Sequence, residues 1–222
     1  MKSADLLLLG AAQVVTVDGG RAAAKRGAQE MNDLRVTTDG AVAIRHGKIV
    51  DVGTTNEITA TWRGLKRIHC RGRTILPGFV DAHTHPVFAK TREDEFAQRC
   101  RGADYETILA SGGGIHASAR ALRELSLADM TEGGRGRLDR MLLHGTVAAE
   151  AKSGYGLTTE SELRSLRAIR QAAARHPLTV VRTFLGAHVV PEEYARNRKG
   201  YVKLIIEEML PRVAKQRLAE FC

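Results

Sequence analysis

From Thr74 onward, short apolar runs of strand composition alternate with stretches of helical periodicity. That alternation restricts the chain to βαβ units built around a parallel sheet. Ile75-Leu76-Pro77-Gly78-Phe79-Val80-Asp81 is an apolar run that enters His83. Ile115–Leu125 has helical spacing. Ser126 with Asp129 has the pattern of a capping box and opens a helix to about His144, where Gly145 supplies a stop. Thr146–Lys152 reads as a short strand. Thr159 with Glu162 reads as a second capping box, ahead of an apolar stripe (Leu163, Leu166, Ile169) on a helix that ends at His176-Pro177. Leu178–Leu185 is a strand, Tyr201–Lys215 is helical with Pro211 as a break or kink, and Leu218–Cys222 begins another strand. A barrel and a doubly wound sheet both satisfy this order.

The first part of the chain has a different pattern. Residues 6–17 are rich in Leu and Val and read as one or two strands, and Asp18–Asp39 reads as a polar loop. Two β-rich runs within Ala41–Gly53 flank His46-Gly47, where glycine can take the positive φ of a tight turn. The expected division is therefore a small β domain over 1–73 and an α/β domain over 74–222.

Charge and cysteine usage narrow the class. The net charge is +9, but the basic residues are scattered, with loose clusters at Arg63–Arg73 and Arg196–Lys203. Only 5% of residues are aromatic, which argues against a base-stacking platform, so no nucleic-acid partner is expected. Cys70, Cys100 and Cys222 form no CxxC pair and no even framework, as in a reducing compartment. The opening apolar run is too short for a signal peptide or membrane span, so a cytoplasmic chain without a membrane partner is expected.

The sharpest chemical feature is His83-Thr84-His85-Pro86. Residues i and i+2 of a strand point to the same side, so both imidazoles face one region of space. Neutral imidazole is a preferred ligand of zinc and related ions. Pro86 ends the hydrogen-bonding ladder, which places the pair at a strand terminus, where parallel barrels collect their functional groups.

At these residues the chain resembles a known group. Ile75-Leu76-Pro77-Gly78-Phe79-Val80-Asp81-Ala82-His83-Thr84-His85 is similar to the first barrel strand of the amidohydrolase superfamily. Other segments narrow the resemblance to the imidazolonepropionase family. They are His85–Ala89 with Arg92–Phe96, Ser111–Ile115, Glu150–Leu157 and Thr183–His188. The resemblance implies an α/β fold: an incomplete TIM-like (β/α) barrel of the metal-dependent amidohydrolase type, preceded by a small β-sandwich domain. It implies one metal ion, zinc or iron, held by His83 and His85. Arg92 would bind the propionate carboxylate of a small-molecule substrate, and Tyr155 would hydrogen-bond that substrate. His188, as the catalytic residue, would contact its imidazolone ring and polarise the carbonyl there together with or instead of the metal. The implied reaction, a step of histidine breakdown, is hydrolysis of 4-imidazolone-5-propanoate to N-formimidoyl-L-glutamate. Another cyclic amidohydrolase or a deaminase is the alternative. The resemblance leaves room for a homodimer of the full-length enzyme.

On the residues alone, blander roles compete. Arg92 lies among Glu93, Asp94 and Glu95 and could pair with one of them; Tyr155 could be a packed loop aromatic, and His188 a satisfied core histidine. Lys152 is read as structural or as a support behind the metal ligands, because the family resembles the single-metal type. Gly112–Gly114 lack a following GK[ST] and read as a tight turn or a close approach to a ligand.

The segment after Pro77 is shorter than the ~200–250 residues of a complete barrel. Its candidate strands amount to about half of one. The family's later His and Asp ligands, a Glu or Gln near that His, and an Asn-Gly-Thr group have no counterpart here. The expectation is a piece of a longer enzyme, the competing reading a short chain that needs a partner.

Overall fold

The computed structural model describes residues 1–20, 24–110 and 112–222. Residues 21–23 of the expected loop, and Ser111 of the glycine-rich motif, lie outside the described residues. The chain divides into two compact units, Met1–Pro77 and Gly78–Cys222.

The first unit is built on one long strand, β1 (Lys2–Val15), which pairs antiparallel with β2 (Val36–Arg45); β2 in turn pairs with β3 (Lys48–Thr54). The β2–β3 turn is His46-Gly47, with φ of 53° and 71°. Two successive positive φ values match the twist of the flanking strands, as the residues suggested. A short helix, α1 (Gly27–Asn32), and the first residues of β2 occupy the stretch expected to be loop.

Three further elements follow. Helix α2 (Thr55–Thr61) starts at a capping box, in which the Thr54 hydroxyl accepts from the Glu57 amide and the Glu57 carboxylate accepts from the Thr54 amide at 2.8 Å. Strand β4 (Trp62–His69) runs parallel to the first half of β1, and β5 (Thr74–Ile75) runs parallel to its second half. Of the expected small sandwich, incomplete without its C-terminal strands, the described residues show one continuous five-stranded sheet. The physical reason lies in β1. A bulge between Leu8 and Ala11 lets one bent strand serve two successive neighbours on the same edge without splitting into two packed sheets. Trp62 and Ile58 pack on Ala4, Leu7 and Leu9, while Val14, Val42 and Cys70 form a second cluster.

The second unit is α/β. Strands β6 (Phe79–Thr84), β7 (Thr146–Lys152) and β8 (Thr179–Thr183) lie side by side in parallel, in that order. Phe221 adds an isolated parallel bridge to Thr183, where the sequence suggested a further strand. The β6–β7 crossover holds α3 (Glu93–Cys100), α4 (Tyr105–Ala110), α5 (Gly114–Glu124) and α6 (Leu127–Leu143); the β7–β8 crossover holds α7 (Thr159–Ala173). Each crossover returns the chain to the same edge of the sheet, as parallel strands require.

Helix α7 buries the predicted stripe. Leu163, Leu166 and Ile169 are fully buried against Leu122 of α5, Met130 of α6 and Ala151 of β7. Strand β7 shows which face that is: Ala149 and Ala151 are buried under the helices, while Ala148, Glu150 and Lys152 alternate onto the half-open face. The last helix is continuous but not uniform. A π turn (Ile205–Met209) links α8 (Arg198–Leu204) to α9 (Leu210–Lys215), and Pro211 sits at the start of α9. Proline has no N–H and crowds the carbonyl four residues back, and the wider turn relieves this without breaking the helix.

Helix α7 begins one residue earlier than expected. Thr158 is the N-cap, its hydroxyl accepting from the Ser161 amide at 3.3 Å. Glu162 is therefore not the partner in a capping box, and its carboxylate turns back to the loop before the helix.

Candidate active site

The predicted site residues of the second unit gather at the C-terminal ends of its strands. Strand β6 delivers His83 and, one residue past its end, His85; the two ring centroids are 5.6 Å apart. Thr84, between them, points the other way and donates to the Glu150 carbonyl of β7 at 2.6 Å, which pins the end of the strand. Tyr155 follows β7, and its ring centroid lies 4.8 Å from that of His85. His188 follows β8 and stacks on His85, with centroids 4.8 Å apart and planes 8° from parallel. Tyr155 and His188 are 5.4 Å apart. Four rings from three strand ends thus form one cluster.

Arg92 lies beside this cluster, just before α3. It shares a pocket of ≈ 270 Å³ with His85, Phe88, Lys90, Ser118 and Tyr155. Its guanidinium also sits 3.4 Å from Glu95, and Glu95 accepts from the Gly114 amide at 2.9 Å. The blander pairing is therefore present alongside the pocket position.

The electrostatics favour neutral imidazole at His85. Burial pushes its pKa down to about 4, helped by the nearby His188, His83 and Lys152. Its Nδ1 is buried with no hydrogen-bond partner. A neutral ring with an unused buried nitrogen is the form a zinc-type ion takes as ligand. Lys152 donates to the Glu150 carboxylate, which also accepts from the Thr183 hydroxyl at 2.6 Å. Burial alone would raise the Glu150 pKa, but the hydrogen bonds from Lys152 and Thr183 outweigh it and hold the carboxyl below its usual range.

The donor set fits a metal in part. His83 and His85 supply two imidazoles, but among the described residues no group of three or more His, Cys, Asp or Glu side chains is gathered to hold an ion. Catalytic zinc sites usually have three protein ligands.

His188 has a defined tautomer. Its Nδ1 is 2.9 Å from the Gly154 carbonyl, which can only accept, so Nδ1 carries the proton. Its Nε2 is then an acceptor when the ring is neutral and a donor only as imidazolium.

Some residues that shape this region gave no clear signal in the sequence. Arg137 of α6 lies over the Phe88 ring, 3.4 Å from its centroid, and donates to the Pro86 carbonyl at 3.0 Å, so it holds the segment leaving His85. Glu162, expected in a capping box, instead accepts from the Gly156 and Leu157 amides. An acid directly beside the stripe of Leu163 and Leu166 was the one available hint, shared with Glu160 two residues earlier.

Comparison with known proteins agrees with the motifs. Residues 40–64 match the imidazolonepropionase-like composite domain of bacteria. The chain is 49% identical over 219 residues to the imidazolonepropionase of Symbiobacterium thermophilum, covering 97% of this chain and 51% of that protein. It is 43% identical over 220 residues to that of Geobacillus sp. (strain WCH70), covering 97% and 52%. The chain therefore spans about half the length of the curated relatives it matches. Its fold resembles that of the guanine deaminase of E. coli (TM-score 0.56, 21% identity, 93% of this chain and 43% of that one). It also resembles an adenosine deaminase from Xanthomonas campestris with bound zinc (TM-score 0.55, 17% identity, 100% and 42%). With its strand-end histidine motif and this identity over nearly its whole length, the chain belongs to the imidazolonepropionase family.

Proposed function

We propose that this chain carries the first half of a metal-dependent (β/α)₈ hydrolase that opens the ring of 4-imidazolone-5-propanoate to N-formimidoyl-L-glutamate. The observation that carries the reading is the convergence of His83, His85, Tyr155 and His188 beside the Arg92 pocket. In a parallel α/β barrel that is where chemistry is placed.

His83 and His85 would hold one zinc or iron ion, the lone pair of His85 being free because burial keeps its ring neutral. Such an ion, when bound, supplies the Lewis acidity that makes water a nucleophile near neutral pH. Arg92 offers a planar fork to the propionate carboxylate. Tyr155 lines the same pocket and would hydrogen-bond the ring. His188 presents Nε2 to the imidazolone, with Nδ1 committed to Gly154. In the overall reaction water adds across the ring amide: the carbonyl carbon gains oxygen, the C–N bond breaks, and the nitrogen gains hydrogen.

A second reading keeps the scaffold and changes the substrate to a neutral ring, as in a deaminase; it rests on the fold likeness alone. A third makes this chain catalytically incomplete by itself; it rests on the two-imidazole donor set. Turnover of imidazolone propanoate by the purified 222-residue chain loaded with zinc or iron tests these readings together. Ring opening supports the proposal, a preference for neutral rings the second reading, and no turnover with metal bound the third.

A further inference from the structure

Helix α7 carries one acid that is completely buried, Glu162. Among the described residues no cation pairs with it. One carboxylate oxygen accepts from two successive amides, those of Gly156 and Leu157, each at 2.8 Å. These amides belong to the turn that carries Tyr155.

That turn needs outside support. Leu157 has φ of +59°, a conformation that crowds an L side chain, yet its side chain is fully buried. Gly156 sits so close to α7 that a Cβ there would lie 2.7 Å from Ser161 atoms and 2.8 Å from the Glu162 amide. The Gly156 carbonyl is held from another side, by Arg123 Nε of α5 at 2.9 Å. Gly154, at the start of the turn, has φ of +115° and supplies the carbonyl that receives the His188 Nδ1 proton.

We propose that Glu162 is a positioning residue of the site: its buried carboxylate holds the Gly154–Leu157 turn in the conformation that places the Tyr155 ring and selects the tautomer of His188. Among the described residues the partners of the Glu162 carboxylate are the Ser153 side chain and the turn amides, not the two rings. Glu162 acts through the backbone, fixing the peptide between Gly154 and Leu157 while Arg123 fixes the opposite side. Burial pushes the Glu162 carboxyl up and outweighs the hydrogen bonds from Ser153 and the turn amides. The turn thus offsets only part of the cost of the buried acid, whose second oxygen, Oε2, is buried without a hydrogen-bond partner among the described residues. The importance of this device for turnover rests on the proposed function; the ring geometry does not.

The test is a two-bond ¹H–¹⁵N correlation on the histidine rings of the full chain at neutral pH, with a thermal melt of each variant. In wild type the neutral ring of His188 is expected as the Nδ1–H tautomer. Glu162→Met keeps the volume and removes the acceptor. It should melt cooperatively, turn the Nδ1–H form of His188 from sole to minor species, and lose the Overhauser contact between the Tyr155 and His85 rings. Glu162→Gln keeps an oxygen facing both amides and should restore the wild-type pattern. A cooperatively melting Met variant with an unchanged His188 pattern overturns the proposal, as does a Gln variant that loses the pattern as fully as Met. Should the Met variant not fold, the amide protons of Gly156 and Leu157 decide. In Glu162→Gln, a weaker acceptor, they should move upfield; if they stay in place, the proposal fails. These signals do not depend on turnover, so inactivity of the chain would leave the result standing.

Discussion

The imidazole of His188 lies flat on that of His85, with ring planes 8° apart and centroids separated by 4.8 Å. The stack joins the end of β6 to the segment after β8. Purified wild-type chain should carry zinc or iron by elemental analysis, and His83→Ala/His85→Ala should fall to background. Equal metal content in both would remove the metal assignment.

The depressed His85 pKa has a stability consequence with a definite sign. The folded ring resists protonation down to about pH 4, whereas in an unfolded chain imidazole titrates near its ordinary value of about 6.5. Below about pH 6.5 the unfolded state therefore binds a proton that the folded state refuses. Stability from this group is fully present above that pH and declines as the pH falls toward 4. Urea midpoints across this range should show the decline, and His85→Gln should flatten it; identical slopes would contradict the shift.

Arg92 separates the acidic-substrate reading from the neutral one. A hydrogen bond to a charged group contributes about 1.5–3 kcal/mol, so Arg92→Ala should raise KM for imidazolone propanoate roughly 10- to 100-fold. KM for a neutral ring should barely move. The melting temperature should also change little, because a partly exposed pair such as Arg92–Glu95 contributes about 0–1 kcal/mol. A parallel rise in both KM values would rule out a carboxylate contact.

Behind the site, the buried Tyr201 hydroxyl donates to the Gly186 carbonyl at 2.6 Å, two residues before His188. Burial pushes this phenol's pKa well up, so it is always a donor. Tyr201→Phe leaves a buried carbonyl without its partner and should cost about 1–3 kcal/mol in denaturant melts. A neutral result would mean that the carbonyl finds another donor.

In the first unit, Thr54 caps α2 with a reciprocal box. Thr54→Ala should destabilise by about 1 kcal/mol, seen as a lower urea midpoint. Thr54→Ser should recover most of the loss, since the hydroxyl is what accepts the Glu57 amide.

Local patterns determined a good part of this molecule by themselves. Short runs of strand composition marked β7 and β8, and the period-3.6 apolar stripe marked α7, because these signals are written in residues that are neighbours along the chain. His46-Gly47 marked its turn for the same reason: a positive φ is a local demand. His83 and His85 were legible as a pair because strand geometry alone puts them on one side. What the sequence did not reveal depends on distant partners. The single bent sheet follows from β1 accepting β4 and β5 in succession. The return of Glu162 to the turn amides follows from how tightly that turn packs on α7. Most of all, the contact of Tyr155 and His188 with His85 exists only because three parallel strands end side by side. That is a long-range arrangement, and no spacing within one segment encodes it.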